Sequence, residues 1–354
     1  MTRHEIALAK LHTGTVIPAN PLALDENRQF DEKRQRAVVR YYLDAGVGGL
    51  AVAVHTTQFE IRDPKYNLLE RVLKVAKDEA SNFEARTGET IVMVAGACGP
   101  TEQAVKEAEL AKSLGYDAVL LSPGGLNHLS EDEMVERTKA VAKVMPVIGF
   151  YLQTAVGGKV FSYDYWTRIC DIDNVVAIKA APFNRYYSFD VVKAAALSRR
   201  ADEITLYTGN DDNIVLDLIS KYKFTVDGKT YEKSFIGGLL GHWSVWTKKA
   251  VELFEKCKKV REMDAVPYEM MQLANEVTDT NAVFFDTANN FKGCIAGLHE
   301  VLRRQGIFKG TWCLNPDETM SEGQSDEIDR IYKMYPHLND DDFIKANLDK
   351  WLAD

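Results

Sequence analysis

The stretch LDAGVGGL at residues 43–50 contains the pattern from which the fold of this chain can be deduced. In this pattern a helix ends at Gly46, and a strand begins a few residues later, near Leu50. Glycine is common at helix ends because it adopts the left-handed backbone conformation at little cost. The stretch LGYDAV at residues 114–119 repeats the pattern. The sequence therefore indicates a repeated unit in which a helix leads directly into a strand.

Short apolar runs rich in β-branched residues recur along the chain, and each is followed by a segment long enough for a helix. Eight runs about 30 to 40 residues apart fit repeated strand–helix units, whose strands are parallel. The first run is not followed by a Gly-x-Gly-x-x-Gly motif, so a closed (β/α)8 TIM barrel is favoured over a doubly wound sheet. The runs are 15–17, 50–54, 91–94, 118–121, 147–151, 175–179, 204–207 and 235–236.

The strand pattern stops near residue 260, and the remainder has helical patterns. We therefore predict a TIM barrel with the catalytic site at residues 1–260 and a C-terminal helical region at residues 261–354. A segment with Asp227-Gly228, residues 225–234, is typical of a hairpin inserted before the eighth strand. Ser130 and Glu133 form a predicted capping box at a helix start. The predicted C-terminal helices are 267–287, 288–305, 321–335 and 340–352.

The charge balance argues against several classes of partner. The chain has 43 Lys and Arg residues against 52 Asp and Glu, a net charge of -9, which disfavours binding to nucleic acid and to anionic membranes.

Five scattered cysteines without a Cys-x-x-Cys motif are typical of a reducing compartment. The first ten residues lack the apolar run of a secretory signal. We expect a cytoplasmic protein that needs no metal and no cofactor.

Lys179 is the first candidate for a catalytic residue, because in TIM barrels the active site lies at the carboxyl ends of the strands. Side chains alternate along a strand, so Val175, Ala177 and Lys179 share one face. If Ile178 packs under the helices, Lys179 points into the barrel. An amine there loses hydration and its pKa falls, which suits attack on a carbonyl. The alternative is a lysine that reaches solvent or pairs with a carboxylate.

Two other strand ends supply candidates. Tyr151 ends the fifth run and is a candidate for proton transfer beside Lys179, although a core tyrosine with a satisfied hydroxyl is the more common case. The second run is followed by His55, Thr56 and Thr57, a turn whose hydroxyl and N–H groups are suited to holding a carboxylate. Threonines at strand ends are common in proteins without such a role.

The ordered set of Thr56, Thr57, Tyr151 and Lys179 resembles the dihydrodipicolinate synthase / N-acetylneuraminate lyase family of Schiff-base-forming class I aldolases. The resemblance covers most of the chain, including the turn at residues 209–212 and the glycines at 237–238. It implies that Lys179 forms a Schiff base with a 2-oxo acid and that Tyr151 shuttles protons, hydrogen-bonded to Thr56. It also implies that Thr56 and Thr57 bind the substrate carboxylate and that the protein is a homo-oligomer, a dimer or tetramer.

The chain departs from the pattern of this family in several places. The usual Gly-Thr-Thr-Gly-Glu turn is HTTQFE at residues 55–60, and SPGG at 122–125 replaces the tyrosine pair after the fourth strand. Val156 stands where the synthases carry an arginine for the carboxylate of the second substrate. Gly124, Gly125 and Ala180 would leave room for a bulkier substrate.

These departures lead to one preferred function and one alternative. The preferred function is a Schiff-base lyase, an aldolase or dehydratase, acting on pyruvate or a 2-oxo-3-deoxy sugar acid and not the synthase of the lysine pathway. The alternative is a catalytically silent barrel that senses a 2-oxo acid. The predicted substrate-binding residues are Thr57, His55, Gly209, Gly238 and Arg185, and the predicted catalytic residues are Lys179, Tyr151 and Thr56.

Overall fold

The computed structural model describes residues 1–353, and Asp354, at the end of the predicted C-terminal region, lies outside the described residues. The chain alternates strands and helices up to the tenth strand and is helical after it. The strands are β1 (Val16–Pro18), β2 (Gly49–Val52), β3 (Val92–Ala97), β4 (Ala118–Leu121), β5 (Val147–Leu152), β6 (Val175–Ala181), β7 (Thr205–Thr208), β8 (Tyr222–Val226), β9 (Lys229–Lys233) and β10 (Phe235–Leu240).

The helices of the barrel and of the C-terminal region have the following bounds. They are α1 (Arg3–Thr13), α2 (Glu32–Ala45), α3 (Leu69–Thr87), α4 (Thr101–Ser113), α5 (Glu131–Ala142), α6 (Tyr163–Cys170), α7 (Arg185–Leu197), α8 (Ile214–Ile219), α9 (Thr247–Arg261), α10 (Glu269–Phe284), α11 (Cys294–Arg304), α12 (Gln324–Met334) and α13 (Asp341–Trp351). The last four lie within the predicted helical ranges of the C-terminal region, with shorter ends.

Eight parallel strands form a single sheet in the order β1-β10-β7-β6-β5-β4-β3-β2. A parallel bridge between Ala19 and Ala51 joins the two outer strands and closes the barrel. The strands β8 and β9 form a separate antiparallel hairpin. The predicted (β/α)8 barrel with a helical C-terminal extension is therefore confirmed, and so is the inserted hairpin.

The boundaries of the units have the predicted local causes. Gly46 ends α2 in the left-handed conformation, with φ of 98°. At the start of α5, the Ser130 hydroxyl accepts the N–H of Glu133, and the Glu133 carboxylate accepts the N–H of Ser130. These contacts satisfy backbone donors that the first turn of a helix leaves unpaired. These two helix boundaries therefore lie where the sequence indicates.

The helix α1, which the sequence analysis did not predict, covers the barrel end opposite to the strand carboxyl ends. Ala7 and Leu11 pack against the inner residues of the barrel, such as Val92 and Ala118. Below them, the buried Asp117 accepts hydrogen bonds from the Arg3 guanidinium at 2.5 and 2.6 Å. The pair ties the helix to the barrel, because moving Arg3 away would leave the buried Asp117 carboxylate without this partner. Access to the interior is left to the other end.

Candidate active site

A cavity lies at the carboxyl ends of the barrel strands. Its volume is about 60 Å³, which at roughly 10–15 Å³ for each water corresponds to a handful of water molecules. Most of the lining is apolar. Its residues are Ala19, Val54, His55, Thr56, Leu120, Phe150, Leu152, Gln153, Val156, Lys179, Ala181, Phe183, Gly209, Asp211, Gly241, Phe285, Phe291 and Cys294.

Lys179 reaches into this cavity from the middle of β6 and is only 8% exposed. Its Nζ lies 4.5 Å from the ring centroid of Phe150, the residue opposite it on β5. Burial lowers the pKa of Lys179, and the nearby Asp211 opposes that change. Within residues 1–353 no carboxylate lies within 4.0 Å of the Nζ. The amine is therefore held in an apolar site without a direct ion pair, which favours its neutral, nucleophilic form.

Asp211 is the acidic residue of the lining and is 5% exposed. It lies in the turn after β7, and its Oδ1 accepts the N–H of His242 at 2.8 Å. Burial raises the pKa of Asp211, while the positive charge of Lys179 acts against the increase. A carboxyl group and an amine therefore share one poorly hydrated cavity, and their titrations are coupled.

The turn after β2 brings His55 and Thr56 to the cavity. Burial, together with the charge of Lys179, lowers the pKa of His55 to about 4, so its imidazole is neutral near pH 7. The Thr56 side chain is buried, and its hydroxyl has no hydrogen-bond partner within the described part of the chain. An unpaired buried hydroxyl costs free energy unless a ligand satisfies it. Thr56 is therefore suited to contact a polar group of a substrate.

Tyr151 is not at the cavity, and its predicted position beside Lys179 is wrong. It lies on the outer face of β5, between the sheet and the helices, with its ring centroid 5.2 Å from that of Trp166. Its hydroxyl accepts the N–H of Phe161 at 3.2 Å. The phenol is therefore held in the outer core, where it contacts neither Thr56 nor the amine.

Three predicted substrate-binding residues lie outside the cavity lining. The Thr57 hydroxyl donates to the Asn20 carbonyl at 2.6 Å and thereby attaches the turn to the segment after β1. The Arg185 guanidinium forms an ion pair with the fully buried Asp217. Gly238 packs against the Trp243 ring, which a Cβ at position 238 would meet at 2.5 Å. Each is occupied by a structural contact, so the predicted substrate role lacks support in all three.

Gly209 lies in the cavity, as predicted, and its lack of a side chain makes room for the lysine. A Cβ at this position would lie 2.4 Å from Cε of Lys179 and 2.8 Å from Cβ of Ala181. The expectation of extra room from Ala180 is wrong, because Ala180 belongs to the outer core. Val156 does line the cavity, so an apolar side chain occupies the place at which the resemblance leads one to expect an arginine.

The C-terminal region closes the mouth of the barrel. Phe285, Phe291 and Cys294 all contribute to the lining. The segment that follows is held by Gln58, whose Oε1 accepts the N–H of Leu314 at 2.6 Å. Gln58 itself has a positive φ of 68°, a conformation that is strained for a residue with a side chain. The glutamine that replaces a glycine of the family turn therefore serves to attach the C-terminal segment.

Glu318, in the same segment, is expected to make the free energy of unfolding depend on pH. Burial and the charge of Glu60 raise its pKa to about 7. The folded state thus binds more protons than the unfolded state between about pH 4.5 and pH 7, so stability falls as the pH rises through this range. We expect Glu318→Gln to raise the free energy of unfolding by about 1 kcal/mol at pH 8, after discounting for partial exposure, and to change it little at pH 4.

Urea denaturation at the two pH values measures this effect. The control is Glu322→Gln, which changes an exposed glutamate of the same segment and should have the same small effect at both pH values. Equal effects of Glu318→Gln at pH 4 and pH 8 would contradict the argument.

Several residues of the site were not predicted from the sequence. Asp211 lines the cavity but is not among the predicted site residues. Its position two residues after Gly209, at the carboxyl end of a barrel strand, could have indicated a place in the cavity. Phe285 and Phe291 come from the C-terminal region, and no local pattern indicates that they contact the barrel mouth.

None of the helices in residues 1–353 combines the length and the hydropathy that crossing a membrane requires. The same residues contain no group of three or more His, Cys, Asp or Glu side chains placed to hold a metal ion.

The chain is similar to known lyases. It is 24% identical to N-acetylneuraminate lyase 2 of Escherichia coli O6:H1 over 320 residues, 89% of this chain and 92% of that protein. It is 31% identical to a probable 5-dehydro-4-deoxyglucarate dehydratase of Pseudarthrobacter chlorophenolicus over 121 residues, 34% of this chain and 37% of that protein. These relatives favour an enzyme over a ligand sensor.

A solved structure bears on the fold, and a family model bears on the family. The N-acetylneuraminate lyase of Fusobacterium nucleatum in complex with pyruvate has the same fold, with a TM-score of 0.67 and 17% identity over 92% of this chain and 97% of that chain. The model of the dihydrodipicolinate synthetase family matches residues 12–224. Since this match spans more than half of the chain, and the barrel agrees with it, the protein belongs to the dihydrodipicolinate synthetase family and is a lyase.

Proposed function

We propose that this lyase forms a Schiff base between Lys179 and the carbonyl carbon of a small 2-oxo acid, and then breaks a carbon–carbon or carbon–oxygen bond. The observation that carries the proposal is the buried Lys179 amine in an apolar cavity, with its pKa lowered by burial. The protonated imine withdraws electrons, so a carbanion at the neighbouring carbon becomes accessible. Addition or elimination at that carbon is the chemistry of a lyase.

The size and polarity of the cavity support a small substrate such as pyruvate. The cavity has room for a handful of water molecules, and pyruvate is of similar size because it has six non-hydrogen atoms. The unpaired hydroxyl of Thr56 is available for the substrate carboxylate. A 2-oxo-3-deoxy sugar acid requires partners for several hydroxyl groups, and the lining supplies few of them.

The apolar lining also argues against the synthase reaction of the lysine pathway. The second substrate of that reaction carries a carboxylate, and the bidentate anchor that the resemblance implies for it is replaced by Val156. Arg185 does not replace the anchor, because its guanidinium is paired with Asp217. We propose a second substrate, or cleaved product, that is uncharged.

Incubation of the protein with pyruvate and sodium borohydride tests the Schiff base. Reduction of the imine is expected to add one pyruvate-derived group per chain, and peptide mass spectrometry is expected to locate it at Lys179. A panel of longer 2-oxo acids extends the test to other substrates. No adduct with any member of the panel, or an adduct at another lysine, would contradict the proposal.

A further inference from the structure

Schiff-base chemistry requires a group that gives and takes protons next to the lysine. Formation of the imine expels water, and formation of the enamine removes a proton from carbon. The resemblance assigns this task to a tyrosine, but the residue opposite Lys179 is Phe150, which has no exchangeable proton on its side chain. Since Tyr151 faces the outer core, another residue must do this work.

The cavity offers few candidates for this role. The pKa of His55 is held to about 4 by burial, and the pKa of the Cys294 thiol is raised well above its usual range, also by burial. The Thr56 hydroxyl and the Gln153 amide do not titrate near neutral pH. Asp211 is the remaining titratable residue of the lining besides the lysine.

The geometry around Asp211 suits proton transfer. The turn after β7 places it two residues beyond Gly209, whose backbone lies directly against the Lys179 side chain. The N–H of Asp211 donates to the Gly209 carbonyl at 3.0 Å, and its carboxylate is oriented by the N–H of His242. The carboxyl group is thus held by backbone contacts inside the cavity that contains the amine, without forming a close ion pair with it.

We propose that Asp211 is the general acid and base of the reaction, in the place of the tyrosine that the family resemblance implies. This inference rests on the Schiff-base function proposed above. It assigns to Asp211 a catalytic role that follows from its shared cavity with Lys179 and from the phenylalanine at position 150.

The protons balance through the steps with pyruvate. The neutral Lys179 amine adds to the carbonyl carbon to form a carbinolamine, and protonated Asp211 donates a proton to the departing hydroxyl, which leaves as water. The carboxylate then removes a proton from the methyl carbon of the iminium, giving the enamine. In a retro-aldol reaction the same carboxylate takes the proton of the hydroxyl group whose carbon becomes the released aldehyde, and Asp211 then protonates the enamine carbon.

The exchange of the methyl protons of pyruvate for deuterium measures these transfers without knowledge of the second substrate. The wild-type protein in D2O is expected to deuterate pyruvate, as followed by proton NMR. Asp211→Asn is expected to slow the exchange by about 100-fold or more. Long incubation with pyruvate and borohydride should still label Lys179 in this variant, because removing a carboxylate that raises the lysine pKa keeps the amine neutral.

The matched control is Asp212→Asn, which removes the same charge from the adjacent, exposed residue. This variant is expected to exchange protons at the wild-type rate. In Asp211→Asn, the asparagine retains an oxygen that can accept the His242 N–H. Thermal unfolding of Asp211→Asn and Asp212→Asn checks that both variants are folded.

The outcomes separate this inference from the proposed function. If the wild-type protein forms no adduct with any 2-oxo acid, the Schiff-base function itself fails. If the wild-type protein forms the adduct and Asp211→Asn exchanges protons as fast as the wild type, only the role of Asp211 is overturned. An adduct without any proton exchange in the wild-type protein would also overturn that role. Slow exchange with retained labelling in Asp211→Asn alone supports it.

Discussion

Lys179→Arg is expected to abolish the covalent adduct with pyruvate and to reduce the exchange of the pyruvate methyl protons by at least about 10⁴-fold, equivalent to about 5.5 kcal/mol in the activation free energy. Arginine is also a long basic side chain, but its guanidinium is always protonated and cannot act as a nucleophile. The variant therefore removes the nucleophile and retains a basic side chain at position 179.

Mass spectrometry after borohydride reduction and proton NMR in D2O measure the two parts of this result. Lys139→Arg, which alters an exposed lysine paired with Glu136, is the control and should behave as the wild type. Near-wild-type thermal stability of Lys179→Arg would show that the loss concerns chemistry and not folding. Residual labelling or exchange in this variant would mean that another lysine reacts.

Gly209→Ala is expected to have the second largest effect, although it adds a single methyl group. The added Cβ would lie 2.4 Å from Cε of Lys179, so the lysine side chain must move. A displacement of about 1 Å at a reacting group costs about 100-fold in rate. The crowding itself costs about 1–3 kcal/mol of stability. Gly209 does not have a left-handed φ, so the effect is steric and not a matter of backbone strain.

The rate of adduct formation with pyruvate, measured in a quenched time course, tests this prediction. Gly149→Ala is the matched control, since its Cβ would meet only ordinary contacts at 3.5 Å or more on the outer face of β5. This control should form the adduct at the wild-type rate. A wild-type rate for Gly209→Ala would show that the lysine is free to rearrange.

The fold could be predicted from the sequence because its signals are local. The glycines at helix ends and the spacing of the apolar runs determine the repeated unit, and the same reasoning located the hairpin and the four C-terminal helices. The helix α1 was missed because it precedes the first repeat, and its burial depends on contacts with Val92 and Ala118 in distant strands.

The site was predicted only in part, and the error at β5 has a physical cause. Both faces of a barrel strand are buried, so apolar alternation does not show which face is inside. The pairing of β5 with β6 also shifts by one residue: Val147 is opposite Val175, but Ile148 is opposite Ala177. Lys179 is consequently opposite Phe150. Without this shift, Tyr151, which lies 28 residues before Lys179 in the sequence, would be opposite it.

Three other predicted residues line the cavity for reasons that do not depend on register. His55 and Thr56 follow directly after β2, and Gly209 directly after β7, so the topology of the barrel alone brings them to the cavity. Arg185 was not predictable in this way, because its ion pair depends on Asp217, a buried acid in a helix further along the chain.

The contribution of Phe285 and Phe291 to the cavity makes the C-terminal region part of the environment of Lys179. Both aromatic side chains lie well beyond the last barrel strand in the sequence, yet they complete the apolar lining around the amine. Because burial is what lowers the pKa of Lys179, the ionisation of the amine depends on the docking of the C-terminal region as well as on the barrel strands.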